Sequence, residues 1–505
     1  MHRIISASKD TYITNKIIGN KFRATDANLG QAGSLDLFKL YAESLSGSDT
    51  TPIENSRLLI KFDLESIITM HNDKKIDVGD ASFKAELRLH DIYGGQTTPK
   101  NFHIICFPLA KNFNEGSGRD VVNYSDLDAT NWITASFQNS EIIDWSLPGA
   151  MNSGSLGDAD IDVIVSGTIQ GQSSPINLAP VQYFETGEED LNVDVTSFIS
   201  ASVKNLVDNH GFLIAFSGSY EKDNYTYFVK RFASRNTTNE AIRPKLVIKF
   251  DDTIKDNHQN FEFDITGSLF LNNFHRGGLS NIKSGLSATD IEGENCMILK
   301  IQTGSFSKQF DVSQAVRGEG RLTGIYSSSF AISSFESTLY DHVLASGSII
   351  FDEIWSNSDE TITYLSSSLK ISKNNISAIN FRENRYLVTM TNLKQRYRQD
   401  EVTRLRVYVE NSDRDIVFSK KPIEKPSEIF QNMYYRVRDW GSGNIIIPFD
   451  TTNNSTNLSF DDIGMYFDFY MSSLPRGRLY VFDYLIKQNN FDIIIKDAAS
   501  KFIIE

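Results

Sequence analysis

The strongest constraint on this chain is a recurring run of four to six residues in which apolar and polar side chains alternate or which is apolar throughout. Each run is bounded by Gly, Asn, Asp or Ser. Examples are Leu58-Leu59-Ile60-Lys61-Phe62, Glu86-Leu87-Arg88-Leu89-His90, Phe212-Leu213-Ile214-Ala215-Phe216 and Tyr227-Phe228-Val229-Lys230. Successive strand residues face opposite ways, so this pattern builds pleated sheets and is incompatible with long amphipathic helices. Long helical periodicity is scarce. The clearest exception is residues 195–206, where Phe198, Ile199, Val203 and Leu206 form a stripe and Thr196 or Ser197 is placed to cap a short helix. The 34 Phe and 20 Tyr among 505 residues fit the same reading, because aromatic side chains favour half-buried pleated surfaces. The predicted class is all-β: an N-terminal jelly-roll-like β-sandwich followed by two smaller, Ig-like β-sandwich domains.

Length suggests two to four domains, and the sequence divides into three segments. Residues 1–252 read as one sandwich, with a Gly/Ser-rich insertion at 151–180 predicted as a loop or hairpin. The polar stretch 253–260 reads as a linker. Residues 261–371 are rich in Ser and Gly, as in Ile325-Tyr326-Ser327-Ser328-Ser329-Phe330 and Ala345-Ser346-Gly347-Ser348. Residues 372–505 carry denser apolar strands, predicted over 403–410, 434–437, 444–449, 465–470 and 478–485.

Several function classes lose support. The formal net charge of −14 argues against generic nucleic-acid binding, which requires a positive surface. No apolar run approaches the ~20 residues that span a bilayer, so no membrane partner is expected. Met1-His2-Arg3-Ile4-Ile5 leads into no apolar signal core, and the chain is expected to be made in a cytoplasm and to stay soluble. Cys106 and Cys296 are expected as free buried thiols. There is no G-x-S-x-G elbow, H-E-x-x-H, P-loop or dinucleotide fingerprint. The 64 acidic residues supply carboxylate pairs by chance, and spacing cannot single out a glycosidase pair. The eight histidines never pair at metal-ligating spacing. The reading is not an enzyme, with neither cofactor nor metal.

Three groups of residues merit a second reading. Trp132 and Trp145 pack a sandwich core or, alternatively, form a stacking platform for sugar rings. Asp158, Asp160 and Asp162 alternate like calcium ligands but lack the turn glycine and bidentate glutamate of a calcium loop, so a solvated insertion is expected. Lys394, Arg396, Tyr397, Arg398, Arg404 and Arg406 form a basic, aromatic-interleaved cluster suited to an acidic partner surface in an assembly; nucleic acid is disfavoured by the overall charge.

The first segment resembles the DNRLRE-type β-sandwich, a carbohydrate-binding-module-like domain. The resemblance runs through Ser8-Lys9-Asp10-Thr11-Tyr12-Ile13, Asn28-Leu29-Gly30, Arg57-Leu58-Leu59-Ile60-Lys61-Phe62-Asp63-Leu64, Ala85-Glu86-Leu87-Arg88-Leu89 and Asn192-Val193-Asp194-Val195-Thr196. It continues through His210-Gly211-Phe212-Leu213-Ile214 and Phe232-Ala233-Ser234-Arg235 to Arg243-Pro244-Lys245-Leu246-Val247-Ile248. Trp132 and Trp145 fall where the family has its tryptophans. The chain departs from the family at the long insertion and in lacking a tight Trp-Thr pair. The remaining half is similar in style to virion proteins of tailed bacteriophages. These resemblances imply a virion structural component of the tail, neck or head surface, whose partners are other virion proteins and copies of itself. The alternative they imply is an adhesin that binds a cell-surface glycan.

Overall fold

The computed structural model describes every residue except 44–51, 93–97, 123–127, 140, 170–172, 286–287, 319, 375–384, 413–424, 489–491 and 497–500. The chain is all-β. Among the described residues the α-helices are Glu65–Asn72, Thr196–Val203 and Ser337–Ser346. None is long and apolar enough to cross a membrane.

The first segment is a sandwich whose two layers share long strands. The His2–Thr14 strand pairs with Lys245–Lys249 over His2–Ser6, then switches partner and pairs with Ile53–Phe62. The change falls where the pairing skips a residue between Ala7 and Lys9. Such a bulge bends a strand and lets it serve two sheets. Strand alternation decides what each layer buries. Leu58, Ile60 and Phe62 point into the main core, whereas Leu59 joins a second cluster with Trp132, Trp145 and Leu213. Asp63 terminates this strand by accepting the Glu65 N–H, so it caps the turn into a helix that local periodicity did not announce.

The predicted helix over 195–206 forms over Thr196–Val203, with Phe198, Ile199 and Val203 buried. Neither Thr196 nor Ser197 caps it: Val195 holds the cap position, and the Thr196 hydroxyl accepts the Ala85 N–H instead. The 151–180 insertion carries structure of its own. Ser153–Ser155 runs parallel to Val163–Gly167, which pairs antiparallel with Ile176–Asn177.

In the second segment a seven-stranded sheet runs from Phe261–Glu262 through Thr363–Ser372, Ser348–Ser356, Met297–Thr303, Phe306–Arg317 and Gly320–Phe330 to Gly267–Asn272. It folds over so that Leu269 at one end and Phe351, Trp355 and Leu369 near the other share one core. The Ser337–Ser346 helix ends on Gly347 in the left-handed region (φ 82°), a conformation that favours glycine at a helix terminus. The Ser- and Gly-rich stretch Ala345-Ser346-Gly347-Ser348 is therefore a helix stop.

The third segment packs the sheet of Tyr386–Met390, Val402–Asn411, Met465–Tyr470 and Ser459–Phe460 against that of Met433–Asp439, Leu479–Lys487 and their neighbours. Its core is aromatic: Tyr435 stacks on Phe467 at 4.3 Å, and Phe482 stacks on Phe502 at 5.1 Å. This core also contains Ile4 and Val247 from the first segment. On the His2–Thr14 and Lys245–Lys249 strands, Leu246 and Ile248 face inward, and the register partners Ile4 and Val247 face out. Burial of that outer face by the third segment fuses two sandwiches that lie far apart in sequence.

Candidate assembly surfaces and the three-segment junction

Both tryptophans are core residues. Trp132 is 5% exposed and Trp145 4%. The Trp145 indole N–H donates to the Asn131 carbonyl at 3.0 Å. Gly149, at φ 80°, lies so close to the Trp132 ring that a Cβ would sit 2.5 Å from it. The Arg57 guanidinium lies 5.8 Å from the Trp132 ring centroid and forms a buried two-pronged ion pair with Glu221. A sugar needs an open aromatic face, and neither ring offers one. The stacking-platform expectation is corrected on that ground.

Two of the three alternating aspartates, Asp158 and Asp162, fix the insertion through their carboxylates, while Asp160 accepts the Asn152 side-chain amide on its backbone carbonyl at 2.7 Å. Asp162 is fully buried, accepts the N–H groups of Ser146, Leu147 and Asn152 at 2.7–3.2 Å, and pairs with Lys111 at 3.1 Å. Asp158 accepts the Ser155 N–H at 2.7 Å. A carboxylate spent on backbone donors closes a loop and leaves few lone pairs for a cation. Cys106 is buried and Cys296 half-buried, both free. Burial pushes the Cys106 thiol far up, so it stays protonated.

The basic cluster is distributed, and its charges are matched. Lys394 lies 3.6 Å from Glu401, and Arg396 pairs with Glu505. Arg398 forks onto Asp400 at 3.0–3.1 Å, Arg404 onto Asp468 at 2.8–3.0 Å, and Arg406 onto Asp461 at 2.8 Å. Burial alone would raise the Asp461 carboxyl, but its bonds from Arg406 hold it below the usual carboxylate range. Tyr397 is not a surface residue. It is buried edge-on to Phe502, and its hydroxyl accepts the Lys394 N–H at 2.7 Å. Its expected place in a partner-facing cluster is corrected: Tyr397 anchors the edge of the third core. Arg404 and Arg406 share one strand face because they are two residues apart, and both guanidiniums cover the Tyr466 ring, at 4.2 and 5.3 Å. Burial raises the Tyr466 phenol to about 12.

The same face borders a cleft of about 720 Å³ where all three segments meet. It is lined by Phe250 and Asp252 of the first, Arg317 and Leu322 of the second, and Tyr466 and Asp468 of the third. Arg317 crosses this junction, donating to the Lys75 and Asp252 carbonyls at 2.8 and 2.9 Å. Arg3 lies 4.8 Å over the Tyr470 ring, and Ile4 N–H donates to the Ser473 hydroxyl. The linker is clamped on both sides. Asp256 N–H donates to Phe460 of the third segment, while His258 sits between Asp256 and Glu353 of the second. Burial works against the imidazolium, but hydrogen bonds to both carboxylates outweigh it and raise His258 to about 10. It is a cation at neutral pH.

Sequence reading missed His258, Asp256 and Glu353, and also the buried Asp483, which pairs with both Arg436 and Arg438 at 2.6–3.2 Å. A signal existed for the last. Arg436 and Arg438 repeat the Arg-x-Arg alternation of Arg404 and Arg406, which puts two cations on one strand face and calls for an acidic partner. Taken together, the arrangement can fix the relative positions of three sandwiches, because its charged groups are committed to internal partners.

No protein-family model matches this sequence, and no curated protein does. Among solved structures, the chain is similar to the FN1–FN3 domains of chicken CNTN1, with 9% identity over 42% of this chain and 56% of that one and a TM-score of 0.14. A second likeness is to the N-terminal four Ig domains of Dscam1 isoform 6.9, with 8% identity over 48% and 42% and a TM-score of 0.12. A third is to EC1-3 of mouse clustered PcdhgC3, with 10% identity over 53% and 84% and a TM-score of 0.12. The chain spans little more than half of the first of these and less than half of the second. Likenesses this slight are local, and the fold is defined by the sheets themselves.

Proposed function

We propose that this chain is a structural component of a tailed-bacteriophage virion, in the tail, neck or head surface, acting through protein–protein assembly interfaces. The observation that carries the reading is the apolar seam through which Ile4 and Val247 enter the core of the third segment. Tandem domains move relative to one another unless a substantial apolar interface holds them. A subunit of a symmetric particle must present its contact surfaces at fixed angles, and this seam, with the Arg317 and His258 clamps, fixes them. The wording of the second half of the sequence supplies the phage assignment.

The glycan-adhesin alternative loses its main support, since Trp132 and Trp145 are enclosed. Mass spectrometry of purified particles encoded by the same genome tests the proposal: the chain is expected among their components, and its absence refutes the role.

A further inference from the structure

We infer that His2 is an acid-sensitive latch, whose protonation releases the first sandwich from the third along the seam of Ile4 and Val247. The latch is independent of the assembly role proposed above.

His2 and Ile4 are two residues apart on one strand and share its outer face. Ile4 enters the core of the third segment, and the His2 ring meets Ser455 of the same segment, which leaves His2 2% exposed. The contacts of the ring suit only its neutral form. Nδ1 lies 3.5 Å from the Ser455 hydroxyl, at the limit of a hydrogen bond, and Nε2 is buried with no partner among the described residues. An imidazolium carries an N–H on each nitrogen, so a second proton would leave a buried donor unpaired.

The surrounding charges have the same bias. Lys249 is the register partner of His2 on the neighbouring strand, and Arg88 lies on the strand beyond it. The Met1 amino group precedes the ring in the chain and is bonded to Asp252. Glu86 is bonded to both Lys249 and Arg88. From the third segment the ring faces Asp450, whose carboxylate accepts the Ser455 hydroxyl at 2.5 Å and the Thr452 and Asn453 N–H groups. Asp450 favours a cation at His2. Burial, followed by Lys249, Arg88 and the Met1 amino group, outweighs it and pushes the imidazole down to about 3.

Freed from the third segment, the ring returns to its ordinary value of 6.5. The docked arrangement therefore holds its full advantage above 6.5. It loses that advantage as pH falls toward 3, about tenfold in the docking equilibrium per pH unit. His258 responds in the opposite sense. It has a carboxylate at each nitrogen and is already a cation, so its clamp on the second segment persists where the seam loosens.

Hydrogen exchange of the full chain across a pH series tests the latch. The Ile4 N–H donates to the Ser473 hydroxyl of the third segment at 3.2 Å, so its exchange reports docking directly. Its opening constant, corrected for intrinsic exchange, is expected to rise about thirtyfold from about pH 7.5 to about 5. The opening constant of Leu299, in the second core, should not rise. His2→Gln takes up no proton and should flatten the Ile4 response, whatever its level at neutral pH. In the unmodified chain the His2 ring resonances should hold their neutral positions over the same range, a readout that needs no variant to fold. An Ile4 opening constant that is flat with pH, one that rises equally in His2→Gln, or a rise matched at Leu299 overturns the inference. So do His2 resonances that titrate near 6.5 in the docked chain.

Discussion

If Ile4 and Val247 bind the first sandwich to the third, trimming them should destabilise a segment more than a hundred residues away. Val247 is 1% exposed and Ile4 7%, and they are direct register partners across the His2–Thr14 and Lys245–Lys249 strands. Val→Ala removes two methyl groups and Ile→Ala three carbons. At ~0.8 kcal/mol per buried carbon the transfer losses are about 1.6 and 2.4 kcal/mol. A cavity penalty adds to each, giving about 2–3 kcal/mol for Val247→Ala and about 3–4 for Ile4→Ala. The two touch, so the double variant should cost less than their sum. The assay is denaturant unfolding followed by hydrogen exchange at amides of the third core, such as Tyr435 and Phe482. Leu246→Ala, whose side chain faces the first core, is the control. Substitution at the seam should lower protection in the third segment, whereas the control should act mainly on the first. If Ile4→Ala and Val247→Ala leave protection at Tyr435 and Phe482 unchanged, the two sandwiches are energetically separate and the rigid-body argument fails.

Replacing Glu221 by Gln leaves the buried Arg57 cation uncompensated and should cost about 3–5 kcal/mol in chemical denaturation; a loss under ~1 kcal/mol would mean that water reaches the pair. Asp483→Asn removes the shared partner of Arg436 and Arg438 and should cost a similar amount; replacing both arginines by methionine as well should recover much of it. His258 has its folded pKa raised from 6.5 to about 10, so its contribution is complete below 6.5, declines as pH rises and is gone above about 10. The unfolding midpoint of the unmodified chain minus that of His258→Gln should fall across that window, and a difference that grew with pH would contradict the assignment. Trp132→Ala should lower stability by about 3–5 kcal/mol, as expected for a core tryptophan, with no selective glycan binding to lose on an array.

The alternation of side chains by itself determined much of this protein. Leu58, Ile60 and Phe62 against Leu59, or Leu246 and Ile248 against Val247, announce strands with two apolar faces, because the period of a strand is a local property of the backbone. The stripe of Phe198, Ile199 and Val203 announced a helix for the same reason. What those faces meet is not local. Nothing in Val247 distinguishes a face covered by its own sandwich from one covered by residues beyond 430, and only the tertiary packing assigned it to the third core. The tryptophans behave likewise: aromatic character is written in the chain, but whether a ring lies open or beneath Gly149 and Arg57 depends on segments that meet across the fold. The charges make the sharpest contrast. The sequence placed Arg396, Arg398, Arg404 and Arg406 in a basic stretch, whereas their acidic partners Glu505, Asp400, Asp468 and Asp461 are mostly distant in sequence. Electrostatic energy depends on separation in space, and that separation exists only once the strands have paired.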